Sequence, residues 1–517
     1  MLELDRLCGS TFDLFWHFDP AAASAAGLVS EDARLGRFDA EAIRANLAAF
    51  RATAAAIEEL EIEDLPDEID RTALLEEVRV TIARLDEDRP PARDPGFWLS
   101  HLAAAIAALL LRPADAGTSG QRAQAAAGRI AAIPGFLDDA RTMLARPPLL
   151  LLDGALGTLG PLGELLVHAA AVFGAAAPGG ADALNQAVAA ALHALARFGH
   201  WLRSEAEPEP DVKGIALGAG RFDRRIHHRY AVRSGSAEMR RYAERLMAET
   251  ERALAEQTAQ LGLAGSWRDA VMKLEANGAG SVSAIGDEIE RARAFLRGRG
   301  FAEVPAQGPD VAQLPPALAA LMPGVTYLPG AARLVVAPAP RSRFAIAPLV
   351  AAEALPGRHL QELAARAAGS EVRRRLRSPA AVEGWALYGE ELMEELGFSA
   401  APEGRLIRLA RLLEAAARLV ADVGLHAAGM TPGEAISLLA DRAGLDRADA
   451  EAEVRRIVAH PTDASAAAIG RREILAFRSA AGARADDAAA LERFHRTLLA
   501  FGALPPGLAG WGMGIER

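Results

Sequence analysis

Residues 352–361 read Ala-Glu-Ala-Leu-Pro-Gly-Arg-His-Leu-Gln, and residues 382–388 read Val-Glu-Gly-Trp-Ala-Leu-Tyr. Together they have the frame of a metal-hydrolase site. A helix of the H-E-x-x-H kind needs two histidines on one face to hold zinc and a glutamate beside the first to deprotonate the metal-bound water. The glutamate is present as Glu353, but the residue before it is Ala352, which binds no metal. The chain therefore reads as an enzyme-shaped protein whose metal site has been edited.

The surrounding sequence sets the fold class. At 517 residues the chain can hold two to four average domains or one large helical body. Hydrophobic residues make up 51% and aromatics only 5%, with alanine dominant, so small side chains of high helix propensity carry the core. The expectation is an all-α protein with a small β element near residues 325–347. Its organisation reads as a helical region over 1–300, a Pro-rich connection over 301–344 and a helical region over 345–517 that carries the edited motif.

Within the first region, Leu74, Leu75, Val78, Ile82 and Leu85 recur near the helical period, which predicts an amphipathic helix over Asp67–Asp86. A second is predicted over Ala237–Gln260, with Ser236 as its N-cap and Met239, Leu246 and Leu254 on the buried side. Joints are expected at Asp88–Gly96 and Glu205–Gly214. Prolines 305, 309, 315, 316, 323, 329, 338 and 340 forbid long helices in the connection, where Tyr327–Ala337 reads as a strand or hairpin. Farther on, Thr431-Pro432-Gly433-Glu434 carries a capping box, and Asp446 opens the next helix in a similar way.

A net charge of −11 argues against a nucleic-acid partner, which needs a basic surface. The single cysteine, Cys8, excludes an intrachain disulfide and fits a reducing compartment. The amino terminus lacks the pattern of a signal peptide, and the apolar stretches Leu102–Leu111 and Leu149–Leu152 are too short to span a bilayer. These features set the expectation of a soluble cytoplasmic protein with no membrane partner.

Four ordered blocks carry a family likeness: the decapeptide at 352, Val-Glu-Gly-Trp-Ala-Leu-Tyr-Gly-Glu-Glu-Leu from 382, Arg-Leu-Val-Ala-Asp-Val-Gly-Leu-His from 418, and Ile-Gly-Arg-Arg-Glu-Ile-Leu from 469. The chain resembles the bacterial domain-of-unknown-function-885 family, whose members look like gluzincin metallopeptidases carrying H-E-x-x-P-G-H-H followed by E-G-W-A-x-Y. The match is most specific over 345–505, with weaker echoes at Ile69-Asp70-Arg71 and Phe15–Gly27.

The resemblance implies a mostly helical clamshell with a deep central cleft, and a zinc held by histidines of the first motif and the glutamate of the second. Position by position, the first family histidine falls on Ala352, the general base on Glu353, the paired histidines on Arg358 and His359, and the metal glutamate on Glu383. Which paired position faces the metal is open at this stage. If it is the second, His359 and Glu383 survive as vestigial ligands; if the first, Glu383 alone does. Where the family commonly has Gln-x-x-x-Tyr before Ile-Gly-Arg, this chain has Asp463 and Ala467, so a natural donor to a tetrahedral oxyanion is also missing.

Three functional readings follow, in order. In the first, zinc-dependent hydrolysis is lost, no cofactor is bound, and a polar cleft is kept for a small molecule, a peptide or a protein partner. In the second, the cleft performs metal-free chemistry on a small molecule, with Glu353 or His426 as acid and base, Asp422 and Tyr388 beside them, and Arg358 and Arg418 binding anionic groups. In the third, a residual hydrolase keeps zinc on a shifted ligand set.

Each residue also has a bland alternative. Arg418, Asp422 and His426 at i, i+4 and i+8 could be an ion-pair ladder, and Trp385 with Tyr388 could be core packing. The basic run Arg221, Arg224, Arg225, His227, His228, Arg229 reads as a solvated surface, with an anion-binding cleft wall as the alternative.

Overall fold

The computed structural model describes residues 2–112, 119–210, 214–276, 281–301, 303–338, 342–399 and 401–515. Helices account for 74% of the chain and strands for 3%, so the protein is all-α with one small β element. The helices begin where short polar side chains meet open backbone N–H groups. Asp39, Asp64, Asp94, Ser281, Ser370, Asp446 and Asp487 each accept from the first turn of the helix they cap. Thr431 and Glu434 form the expected reciprocal capping box.

The β element is larger than a hairpin. Strands β2 (Val325–Leu328) and β3 (Arg333–Val336) form the expected antiparallel pair, and β1 (Asp310–Gln313) adds in parallel to β3, giving the order β1-β3-β2. The sheet matters because Tyr327, on β2, points into the core beneath the edited motif.

Three apolar cores hold the helices. One draws residues from Leu4 through the motif to Ala509 and includes Trp385 and Tyr388. A second gathers around the Pro402–Ala427 helix, packed along Ser236–Gln260. The third joins Pro95–Leu110, Ser119–Met143, Leu149–Ala176 and Ala181–Ser204.

Several local expectations need correction. The first predicted amphipathic helix runs Leu65–Ala83 and widens into a π turn at Arg84–Asp88, after which Arg89 (φ 50°) turns the chain into the short Pro90–Arg93 helix. Ser236 is the first helical residue, not the cap, because Gly235 takes the extended cap conformation. The second expected joint includes residues 211–213, which lie outside the described residues. The apolar stretch from Leu149 continues to Ala176, and that helix is long and apolar enough by composition to span a bilayer; in the fold it packs against Pro95–Leu110 and Ala181–Ser204.

The basic run is solvated surface at Arg221, Arg224 and His227, as expected, and a seam along its other side. Arg225 is buried and paired with Asp88, His228 with Glu76, Arg229 with Asp463, and Arg224 lies 3.9 Å from Glu87. The acids come from the Leu65–Ala83 helix with its π turn and from the 462–465 turn, so the run ties the Ala219–Tyr230 helix to both.

Candidate functional site

Four glycines let the backbone of the edited motif fold back on itself. The Ile346–Glu353 helix ends at Glu353, and the chain reverses through 354–357 before the Arg358–Arg366 helix begins. A side chain on Gly357 would put its Cβ 1.8 Å from the Ala352 carbonyl oxygen, so the reversal needs glycine. Trp385 fixes the same turn from the side: its Nε1 donates to Pro356 O at 2.8 Å and Gly357 O at 3.2 Å.

The Pro379–Glu395 helix that carries Trp385 approaches on two further glycines. A Cβ on Gly389 would lie 2.8 Å from Ala351 O, and a Cβ on Gly384 would lie 2.3 Å from the Gly470 carbonyl carbon. Gly470 returns the contact, since its Cβ would fall 1.8 Å from Ala380 O. The Glu-Gly-Trp and Ile-Gly-Arg blocks are thus the two sides of one close helix crossing.

This packing brings Arg358 between two carboxylates. Its Nη1 donates to Glu353 Oε1 at 2.9 Å and Oε2 at 2.8 Å, and its Nη2 donates to Glu383 Oε2 at 2.5 Å. Glu353 is buried and the Glu383 side chain is 43% exposed, so the cluster runs from the core to a surface opening. Burial pushes the Glu353 carboxyl above its ordinary range, while Arg358 and then Arg411 draw it back down. Burial opposes the Arg358 charge, but attraction to Glu353 and Glu383 outweighs it and raises the guanidinium pKa. Its Nε is buried with no hydrogen-bond partner among the described residues.

The geometry answers which paired position faces the cluster: it is 358. His359 points the other way, with Nδ1 2.9 Å from the Tyr327 hydroxyl, and burial lowers its pKa and keeps the ring neutral. His359 is therefore no vestigial ligand. With Ala352 inert and Glu353 and Glu383 both held by a guanidinium, the donor set does not fit zinc. Among the described residues no group of three or more His, Cys, Asp or Glu could hold a metal ion.

The remaining expected site residues lie elsewhere. Asp422 and His426 are fully buried on the Pro402–Ala427 helix. Asp422 accepts from Thr462 N at 3.2 Å, Ser465 N at 3.2 Å and Ser465 Oγ at 2.6 Å, so it caps the 463–465 turn. His426 has Nδ1 3.1 Å from Ile215 O and Nε2 3.0 Å from Ile457 O, so both ring nitrogens face backbone carbonyls in the core. Neither is arranged as an acid or base for the cluster. Arg418 pairs with Glu453 at 3.0 Å and Glu414 at 3.3 Å, so it is no free anion binder. Tyr388 is buried, with its hydroxyl 2.8 Å from His495 Nε2, and serves the core. Arg358 itself spends both of its Nη groups on carboxylates, which removes the expected anion-binding role.

Asp463 belongs to structure as well: it pairs with Arg229, while the buried Tyr230 hydroxyl donates to Thr462 O at 2.8 Å. The Asp70 of the amino-terminal echo is buried and accepts from Arg373 Nε at 2.8 Å, which ties that block to the chain just before Glu383.

Two functional neighbours escaped sequence reasoning. Glu390 sits seven residues after Glu383, on the same face of its helix, and that spacing was the available signal. It is 1% exposed, and both carboxylate oxygens lack a hydrogen-bond partner among the described residues. Arg411 Nη2 lies 3.1 Å from Oε1, an ion pair without a hydrogen bond. Burial pushes the Glu390 carboxyl up to about 7, against the pull of Arg411 and Arg408. Glu383, Arg358, Glu353, Arg411 and Glu390 thus form a row of alternating charge.

Two solved structures share the fold over nearly the whole chain. One, described as a putative lipoprotein of unknown function from Shewanella oneidensis, has a TM-score of 0.73 and 19% identity, covering 99% of each chain. The other, described as the putative lipoprotein from Colwellia psychrerythraea, has a TM-score of 0.82 and 19% identity, covering 99% of this chain and 98% of its own. These descriptions overturn the expectation of a cytoplasmic protein, which rested on composition and the look of the amino terminus. No curated protein matches the chain. The family model described as bacterial protein of unknown function (DUF885) matches residues 20–509, and the chain belongs to that family.

Proposed function

We propose that this chain is a binding protein built on a metallopeptidase-like helix frame, in which a buried arginine stands where the frame would hold a catalytic metal. The observation that carries the reading is the Arg358 guanidinium bridging Glu353 and Glu383. A catalytic zinc site keeps three protein ligands and one open position for water. Here the positive charge is supplied by a side chain with no open coordination position, so it can neither generate hydroxide nor polarise a carbonyl as a metal does. The guanidinium bridges the two carboxylates and offsets one of their two negative charges, which lets the frame fold without an ion.

The metal-free enzyme reading has less support. Both Glu353 oxygens accept from Arg358, and a base must have a free lone pair aimed at its substrate. His426 lies about 22 Å farther along its helix than Arg411, at 1.5 Å per residue.

Metal analysis of the purified protein tests the proposal. The expected result is no stoichiometric zinc in the wild type and recovery of tight zinc binding in the Ala352→His/Arg358→His double variant. Stoichiometric zinc in the wild type that disappears in Glu383→Ala would sink it.

A further inference from the structure

We propose that the cleft between the Pro95–Leu110 and Leu149–Ala176 helices is a binding site for an anionic single-chain amphiphile, its acyl chain in an alanine-walled cavity and its head group on Arg84 and Arg455. This site is separate from the motif cluster and does not depend on the reading given above for it. Two cavities, of about 670 and 700 Å³, meet there and share Ala25, Ser100, Ala104 and Thr158 as common lining. Each falls in the range of roughly 300–1,000 Å³ typical of small-molecule sites.

The first cavity is apolar for a simple reason. Ala103, Ala104, Ala107 and Ala108 repeat at the spacing of one helix face, and across from them stand Leu318, Leu321 and Met322. Small side chains opposite large ones leave a gap that packing does not close. Water against such walls is unfavourable in proportion to the apolar surface it wets, a cost that an alkyl chain would recover.

The second cavity is polar and holds two arginines outside any ion pair, of which Arg84 also attracts the buried Asp94 and Glu77 carboxyls. Arg84 comes from the π turn after Leu65–Ala83, and Arg455 from the Arg447–Ala459 helix, where it packs over Gly154. Among the described residues neither side chain forms a hydrogen bond or ion pair, whereas Arg456 beside them is paired with Glu453. Two of the three acids in the same cavity are engaged by backbone donors. Asp94 caps its helix through Gly96 N at 2.8 Å, and burial raises its carboxyl to about 6; Asp19 caps through Ala22 N at 3.0 Å. Asp153 is exposed at the rim. His460 is kept neutral by burial, which lowers its pKa to about 4. Two guanidinium groups facing one pocket suit a carboxylate or phosphate, each of which can accept paired N–H donors.

Calorimetric titration of the full chain with dodecanoate, dodecyl phosphate, dodecanol and butanoate tests this. Dodecanoate or dodecyl phosphate should bind saturably at one per chain, and the tighter of the two identifies the head group. Dodecanol and butanoate should bind at least about tenfold more weakly, a difference of roughly 1.4 kcal/mol. Ala104 is exposed at the neck between the cavities, so Ala104→Phe should weaken dodecanoate by about tenfold or more; Ala108→Phe is the second variant should the first unfold. Arg84→Gln/Arg455→Gln should weaken the anions and leave dodecanol unchanged. No saturable uptake of either anion overturns the proposal, as does equal affinity in well-folded blocked variants. Dodecanol binding as tightly as dodecanoate overturns the assignment of an anionic head.

Discussion

Arg358 Nη1 lies 2.9 and 2.8 Å from the two carboxylate oxygens of Glu353, and only one of the two partners reaches solvent. Removing one member of a buried pair leaves the other charged and unsolvated, a loss of roughly 3–5 kcal/mol when burial is complete. Because the Arg358 side chain retains 21% exposure, Arg358→Met should sit near the low end, about 3 kcal/mol. Adding Glu353→Gln to that variant should restore most of the loss. Urea unfolding of both variants checks this; equal midpoints for Arg358→Met and the double variant would mean the pair is not coupled.

The Gly384–Gly470 crossing should tolerate no side chain. A Cβ at Gly470 would meet the Ala380 carbonyl oxygen at 1.8 Å, and that atom is backbone, so no rotamer change relieves the overlap. Overpacking typically costs about 1–3 kcal/mol where side chains can shift, and more where they cannot. Gly470→Ala should therefore lose at least about 3 kcal/mol in urea unfolding. By contrast Gly433→Ala, at a glycine where an added Cβ would meet nothing within 4 Å, should change stability by less than about 1 kcal/mol.

These two relationships show what the sequence could and could not reveal. The helical body, the capping box at Thr431 and the β2–β3 pair follow from local chemistry, so they were legible. Strand β1 was missed because its partner among the described residues, β3, is parallel and about twenty residues away, with no local turn to announce it. The family blocks located Glu353 and Glu383, but not the direction of Arg358 against His359, since adjacent helical residues diverge by about 100° and only packing chooses between them. The Arg418, Asp422 and His426 stripe misled for a similar reason. Residues eight apart drift by about 80° around a helix, enough for Arg418 to reach solvent while His426 points into the core.

Glu390 should make the protein less stable as pH rises. Its carboxyl titrates near its ordinary 4.5 when unfolded and at about 7 when folded, because burial disfavours the charge. Between those values the folded state holds more protons, so its contribution is fully present below pH 4.5 and is lost as pH climbs through 7. The swing is on the order of 3 kcal/mol. Glu390→Gln should remove it, and the variant should gain on the wild type steadily from pH 4.5 to 8 in urea unfolding. Parallel profiles would show that Glu390 is ionised and satisfied throughout.

His495 should act in the opposite sense over the same range. Burial lowers its pKa from 6.5 to about 4, and the neutral ring lies between Gly300 O, 2.7 Å from Nδ1, and the Tyr388 hydroxyl, 2.8 Å from Nε2. The unfolded ring binds a proton that the folded ring refuses, so this contribution is fully present above pH 6.5 and is lost as pH falls toward 4. Tyr388→Phe removes the donor to Nε2 and should cost about 1–2 kcal/mol at neutral pH. His495→Phe keeps an aromatic ring stacked on Phe301 while abolishing the titration. Relative to the wild type its stability should tilt downward with rising pH, because one of the contributions opposing Glu390 is gone, whereas Glu390→Gln should tilt upward. Opposite changes of slope in the two single variants, each measured against the wild type, are the expected outcome of unfolding from pH 4.5 to 8; changes of the same sign would remove one of the two groups from the account.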